Sequence, residues 1–204
     1  MRIETRGLGK RFNRDWIIKD LNTTIESGSK LAIVGPNGSG KSTLLKILGT
    51  YSIPTRGEIS YHSEHGQLST DDIQVRMNFA APYFNLIEEY TLAEQLAFHA
   101  KFKEANGDIQ TMIKDAGLIK AQHKFIKDFS SGMKQRAKLI MAFGFAADLI
   151  LLDEPTSNLD EKGISWFESL IKSMASQPTI IMASNLQQEI SLCDSVISIE
   201  KKQG

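Results

Sequence analysis

The residues Gly35-Pro36-Asn37-Gly38-Ser39-Gly40-Lys41-Ser42-Thr43 constrain this chain more tightly than any other stretch. They fit G-x-x-x-x-G-K-[ST], a phosphate-binding pattern that has meaning only between a strand and a helix. The apolar run Leu31-Ala32-Ile33-Val34 precedes them, and Leu44-Leu45-Lys46-Ile47-Leu48 follows with helical character. A buried strand must therefore turn into a helix N-terminus over residues small enough for backbone N–H groups to converge. Such a turn, backed by the positive end of the helix dipole, favours phosphate. Lys41 is expected to reach the β- and γ-phosphates as a point charge, and the Ser42 hydroxyl to ligate Mg²⁺. The whole segment from Gly35 to Thr43 is the candidate binding site for a nucleoside triphosphate.

The rest of the composition sets limits. The chain has 204 residues, zero formal net charge, 41% hydrophobic and 24% charged residues. That is enough for one substantial core, or for a core with a sub-lobe. The balanced charge gives no global reason to expect nucleic acid as a partner. Cys193 is the single cysteine, so no internal disulfide forms; a buried, inert thiol in a reducing compartment is the expectation. No apolar stretch has the length a bilayer span needs. The opening Met1-Arg2-Ile3-Glu4-Thr5-Arg6 carries an acid and no apolar segment, and is expected not to be a secretion signal. Any membrane role would come through a partner.

Strand patterns run from Arg2 to Arg6, from Ile17 to Ile25, and with period 2 over Gly57-Glu58-Ile59-Ser60-Tyr61. Thr91-Leu92-Ala93-Glu94 reads as a capping box opening a helix, and helices are expected up to about Ala147. Leu149-Ile150-Leu151-Leu152 and Thr179-Ile180-Ile181-Met182-Ala183 are continuous apolar runs, the mark of parallel strands buried on both faces. Between them Ile164, Phe167, Ile171 and Met174 recur at helical spacing, and Ser195-Val196-Ile197-Ser198-Ile199 gives a last strand. One α/β domain over residues 1–204 follows, with a core of about 1–84 and 148–204 and a helical lobe of about 85–147.

Two further motifs narrow the chemistry. Leu149 to Leu152 leads into Asp153-Glu154, a Walker B arrangement in which Asp153 can hold Mg²⁺ and Glu154 can act as general base on the attacking water. Two solvated acids closing a strand are the bland alternative, which the phosphate pattern upstream and Pro155-Thr156-Ser157-Asn158-Leu159-Asp160 downstream disfavour. Phe129-Ser130-Ser131-Gly132-Met133-Lys134-Gln135-Arg136 opens a helix before that strand. There Ser130 offers a hydroxyl, Ser131-Gly132 offer backbone N–H groups, and the helix supplies its positive end.

With these motifs in this order, nearly the full chain resembles the nucleotide-binding domain of ATP-binding cassette (ABC) transporters. The resemblance implies an α/β fold: a P-loop NTPase core with a mixed, mainly parallel sheet, an N-terminal antiparallel β subdomain and an inserted helical subdomain. It implies ATP and Mg²⁺ as ligands, with Ser130, Ser131 and Gly132 binding the γ-phosphate held by an opposite subunit. Asp160 would close the D-loop at the dimer interface. Phe12 takes the place of the aromatic residue that stacks on adenine, with Trp16 as its rival. The implied partners are a second ABC subunit, identical or homologous, and a transmembrane permease. The chain would then sit in the cytoplasm on the inner face of the membrane, powering a permease of exporter type. Pro82 to Tyr90 would form part of the permease cleft, unless its aromatics simply pack within the lobe.

Two places depart from the family pattern. The Gln expected near the join to the helical lobe falls within Phe79-Ala80-Ala81-Pro82-Tyr83, which contains none. The His expected after the penultimate core strand is Asn185, and the four histidines of the chain (His62, His65, His99, His123) all precede it. An Asn amide donates a hydrogen bond to phosphate but carries no charge and moves no proton. A working but slow ATPase is expected, with Glu154, Asp160 and Asn185 as its catalytic residues; the alternative is a hydrolysis-impaired ATP-binding switch. A soluble cassette acting on DNA, ribosomes or other proteins is disfavoured, because this sequence shows neither the long coiled coil nor the second cassette of such relatives. A GTPase is disfavoured because the sequence contains no guanine-reading Asn-Lys-x-Asp motif.

Overall fold

The period-2 and apolar patterns resolve into two sheets with different jobs. In the computed structural model, which describes residues 1–174 and 178–200, the first strands are β1 (Arg2–Phe12) and β2 (Asp15–Ile25). They form an antiparallel pair that β4 (Arg56–Ser63) and β5 (Gly66–Gln67) extend, in the order β2-β1-β4-β5. This is the expected antiparallel subdomain. The short sequence signal over residues 2–6 underestimates β1, because register shifts between Thr5 and Leu8 and between Leu8 and Lys10 interrupt its alternation.

The second sheet is parallel and carries the phosphate-binding turn. Its strands β3 (Lys30–Val34), β7 (Leu149–Asp153), β8 (Thr179–Ala183) and β9 (Ser195–Ser198) lie in the order β7-β8-β3-β9. Every residue of β7 and β8 is buried, which is why both read as unbroken apolar runs. Helix α1 (Lys41–Leu48) packs on this sheet through Leu44, Leu45, Ile47 and Leu48, each worth about 1.5–3 kcal/mol of burial. The buried Thr179 hydroxyl ties the sheet to the chain start: it donates to the Met1 carbonyl (2.5 Å) and accepts from Gly28 N–H (3.1 Å).

The remaining elements are α2 (Thr70–Arg76), β6 (Met77–Ala80), α3 (Leu92–His99), α4 (Ile109–Asp115), α5 (Ser131–Phe143), α6 (Glu161–Ser173) and α7 (Gln187–Ile190). The chain divides into two compact units. The first holds Met1–Met77, Asp148–Asp153 and residues 178–200, and the second holds Asn78–Ala147 and residues 154–174, so α6 groups with the helices of the second. Within that second unit Asn78 is a buried polar hub. Its amide donates to the carbonyls of Ala142 and Phe145 (both 2.9 Å), and its oxygen accepts from Lys103 Nζ (2.6 Å).

The capping box at Thr91 and Glu94 forms in both directions. Side chains of Ser69, Asp108, Ser130 and Asp160 cap α2, α4, α5 and α6 in turn. Helix α1 begins instead at Gly40, with no side-chain cap. Cys193 lies half-buried beyond α7, and burial raises its thiol to a pKa of about 11, an inert state. Among the described residues no helix is long and apolar enough to cross a membrane.

Candidate nucleotide site

In the first unit the register of the parallel sheet brings three strand ends into one row. Ile33 pairs with Ala183, and Ala183 with Asp153. Gly35, after β3, and Asn185, two residues past β8, therefore leave the same carboxyl edge of the sheet at which β7 ends with Asp153. That edge is where open α/β sheets bind ligands.

The turn itself requires glycine at two points. Gly35 adopts φ +153°, and a Cβ there would lie 2.3 Å from the carbonyl oxygen of Ile199. Gly40 adopts φ +107°, and its Cβ would lie 2.3 Å from Ile17 Cγ2 on β2. The Lys41 side chain folds back over the turn, donating to the carbonyls of Gly35 (2.7 Å) and Pro36 (3.3 Å). Ser39 N–H closes the same turn on the Pro36 carbonyl (3.0 Å). With no side chain capping α1 and no acid in its first turn, the N-terminal N–H groups at Lys41, Ser42 and Thr43 suit an anion.

Asp153 closes β7 with only 3% exposure. One buried carboxylate and the Ser42 hydroxyl are hard oxygen donors, and they fit Mg²⁺, which takes one or two protein ligands and completes its shell with water and phosphate oxygens. Asn185 reaches the turn directly. Its Oδ1 accepts from Gly35 N–H (3.3 Å) and its Nδ2 donates to Asn37 Oδ1 (3.0 Å).

Phe12 and Trp16 separate cleanly. Phe12 ends β1 opposite Asp15, is 52% exposed, and has Lys10 Nζ 5.1 Å from its ring centre. Trp16 is half-buried, with the guanidinium groups of Arg56 and Arg11 at 4.8 and 5.5 Å from its ring. A Cβ on Gly9 would come within 2.8 Å of the same ring. Trp16 is thus committed to its own sheet, while Phe12, with Lys10 over its ring, stays exposed.

The second unit carries the other candidate residues. Glu154 is exposed and sits at φ +48°, an uncommon conformation for a non-glycine residue. Gln135 Nε2 donates to the neighbouring Pro155 carbonyl (2.7 Å) and fixes the backbone there. Ser130 caps α5, its hydroxyl accepting from Met133 N–H (3.3 Å), while Ser130 and Ser131 remain exposed. Gly132 faces the 154–160 loop so closely that a Cβ would lie 2.8 Å from the Asn158 carbonyl oxygen. Ser130, Ser131, Gly132, Arg136, Asn158 and Asp160 all line one open concavity.

Arg136 organises that concavity, and its role was not readable beyond its place in the Phe129–Arg136 stretch. It donates to the Ala116 carbonyl (2.6 Å) and pairs with the carboxylate of Asp160. Asp160 also caps α6 by accepting from Gly163 N–H (2.9 Å). That N–H, with Arg136 beside it, holds the Asp160 carboxyl below its ordinary range.

The family model for ABC transporters matches residues 18–157. The chain belongs to the ABC transporter family. It is 32% identical to the uncharacterised ABC transporter ATP-binding protein YybJ of Bacillus subtilis, over 99% of this chain and 93% of that protein. It is 28% identical to the Nod factor export ATP-binding protein I of Burkholderia lata, covering 98% of this chain and 68% of that protein. Among solved structures, the ATP-binding subunit of an ABC transporter superposes with a TM-score of 0.85 at 23% identity, covering 98% of this chain and 86% of the other. A dimeric bacterial ABC transporter cassette gives 0.78 at 23% identity, with 97% and 94% covered. These structural likenesses establish the fold: an ABC-type α/β cassette with separate antiparallel and parallel sheets.

In this ABC cassette the stretch from Phe79 to Tyr83 holds no Gln but has its own partner. Lys138 Nζ donates to the carbonyls of Ala81 (3.0 Å) and Pro82 (3.2 Å). The rings of Phe79, Tyr83 and Phe84 cluster with centroids 4.8–6.0 Å apart. Those aromatics therefore pack on one another within the unit, and Tyr83 stays 38% exposed.

Proposed function

We propose that this chain is the ATP-binding and ATP-hydrolysing subunit of a transporter, and that it powers a separate membrane permease. Two copies, or one copy and a homologue, would sandwich two ATP molecules, each between the Lys41 turn of one subunit and the Ser130 loop of the other. The observation that carries this reading is a pair of anion-ready helix starts in the two units: uncapped at Gly40, and serine-headed with an exposed approach at Ser130.

In this reading Gly35 to Thr43 cradle the phosphates, Lys41 exchanges its carbonyl partners for phosphate oxygens, and Phe12 stacks on adenine. Ser42 and Asp153 would hold Mg²⁺, which neutralises charge on the transferring phosphoryl group. Glu154 takes the proton of the attacking water. Ser130, Ser131 and Gly132 close on the terminal phosphate of the partner's nucleotide, and Asp160 keeps that loop in place. Contacts made only in the closed state convert binding into closure, and hydrolysis releases it. The subunit would sit against the inner membrane face through its permease, and relatives named for Nod factor export favour an exporter.

A hydrolysis-impaired switch is the second reading, favoured by Asn185. Its amide is engaged with Gly35 and Asn37 and offers no positive charge. Glu154→Gln tests both. On the first reading it stops turnover and accumulates ATP-dependent dimers on a sizing column. Turnover unchanged by the substitution removes Glu154 as the base, while a wild type that already accumulates such dimers identifies the switch.

A further inference from the structure

We propose that the side chains of Asn37 and Asn185 form an amide pair that holds the phosphate-binding turn in its receiving shape before nucleotide arrives. The pair then sets affinity for diphosphate and triphosphate alike. This rests on the nucleotide-binding reading above and adds a positioning role that does not depend on the terminal phosphate.

A carboxamide offers an acceptor and a donor from one planar group. Asn185 uses both on the same turn: Oδ1 takes the Gly35 N–H (3.3 Å), and Nδ2 gives to Asn37 Oδ1 (3.0 Å). The two anchor points flank Pro36, so the side chain spans the turn. Its own support is firm. The buried Ser184 donates its N–H to the Ile33 carbonyl (3.1 Å), and its hydroxyl accepts from Leu186 N–H (2.9 Å), fixing the backbone on either side of Asn185. Gly35 has little freedom on its other flank, where Ile199 O and Ser39 Oγ leave no room for even a methyl group.

The other side-chain brace on this turn is temporary. Lys41 grips the carbonyls of Gly35 and Pro36, and it must release them to reach a phosphate. The amide pair grips an N–H and a side-chain oxygen, neither of which the lysine needs. It therefore persists when Lys41 leaves, and a pre-ordered turn binds more tightly than one ordered at the moment of binding.

Equilibrium dissociation constants for Mg-ATP and Mg-ADP, measured on the full chain, test the pair. Asn185→Ala and Asn37→Ala are each expected to weaken both nucleotides by about two- to fivefold. The double variant is expected to be no weaker than the worse single one, because the second change removes an interaction already lost. Asn37→Ala alters an exposed side chain and carries the same expectation if Asn185→Ala does not fold. Loss of ATP affinity with ADP affinity unchanged would overturn the proposal and make Asn185 a terminal-phosphate contact. Additive losses would overturn it too. Failure of the underlying reading looks different: Lys41→Ala would bind both nucleotides as tightly as wild type.

Discussion

Arg136 donates simultaneously to the Ala116 carbonyl and to the Asp160 carboxylate, so one guanidinium joins the end of α4, the first turns of α5 and the cap of α6. Its planar fork places Nη1 on the Ala116 carbonyl and Nη2 on the Asp160 carboxylate, a separation that the single ammonium of a lysine does not span. Gly117 and Gly163 leave space for it, since a Cβ on either would approach its terminal nitrogens to 3.2 and 3.1 Å. Arg136→Ala and Arg136→Lys should both lower ATP turnover by about ten- to a hundredfold through misplacement of the 130–132 loop. Nucleotide affinity of the isolated subunit should stay unchanged, because its own phosphate turn is untouched. Steady-state ATPase and equilibrium binding on the same preparations separate the two.

Gly132→Ala tests the contact between α5 and the 154–160 loop. The added methyl meets the Asn158 carbonyl oxygen at 2.8 Å, and the backbone must give by several tenths of an ångström. A cost of about 1–3 kcal/mol is expected in urea denaturation. Turnover should fall by more than affinity for nucleotide, as measured on the same protein.

Gly40→Ala combines a left-handed φ of +107° with a clash against Ile17 Cγ2. The strain should cost about 1–3 kcal/mol and abolish measurable ATP binding at micromolar concentrations. Ile17→Ala added to it removes the clash but not the dihedral strain, and should restore binding only in part. Full recovery would show that side-chain crowding alone demands glycine here.

Lys103 gives the second unit a pH signature. Burial lowers its pKa from 10.5 to about 8 in the folded chain. Between those values the unfolded state binds more protons than the folded one, so stability rises with pH over about 8 to 10.5. Below pH 8 both states carry the proton and the slope vanishes. Urea midpoints of wild type and Lys103→Met, measured across pH 7 to 10, should differ by this slope, with the variant showing the flatter profile. Half-exposure of the side chain keeps the effect below what the shift alone implies.

Much of the architecture was legible because buried parallel strands leave a strong trace. Leu149–Leu152 and Thr179–Ala183 could scarcely be anything else, and Gly35–Thr43 needs a strand before it and a helix after it. The Thr91–Glu94 box was equally readable, since capping depends on residues three apart. Legibility ended where contacts join distant positions. Nothing near Asn185 announces Asn37, 148 residues earlier. Arg136 finds Asp160 only because α5 and α6 pack together, and Lys138 reaches the Ala81 and Pro82 carbonyls across more than 55 residues of chain. The sequence favoured Phe12 over its rival Trp16, but nothing near either residue announces Arg56, which sits over the Trp16 ring.

The bare start of α1 has a thermodynamic corollary. The helices α2 to α6 complete their first turns from within the chain, whereas α1 leaves that completion to whatever oxyanion is dissolved around it. Melting temperature should therefore climb with added phosphate or sulfate beyond what a general salt effect gives, following ln(1 + c/Kd) with c the anion concentration. The last few hydrogen bonds of this fold are supplied by its ligand.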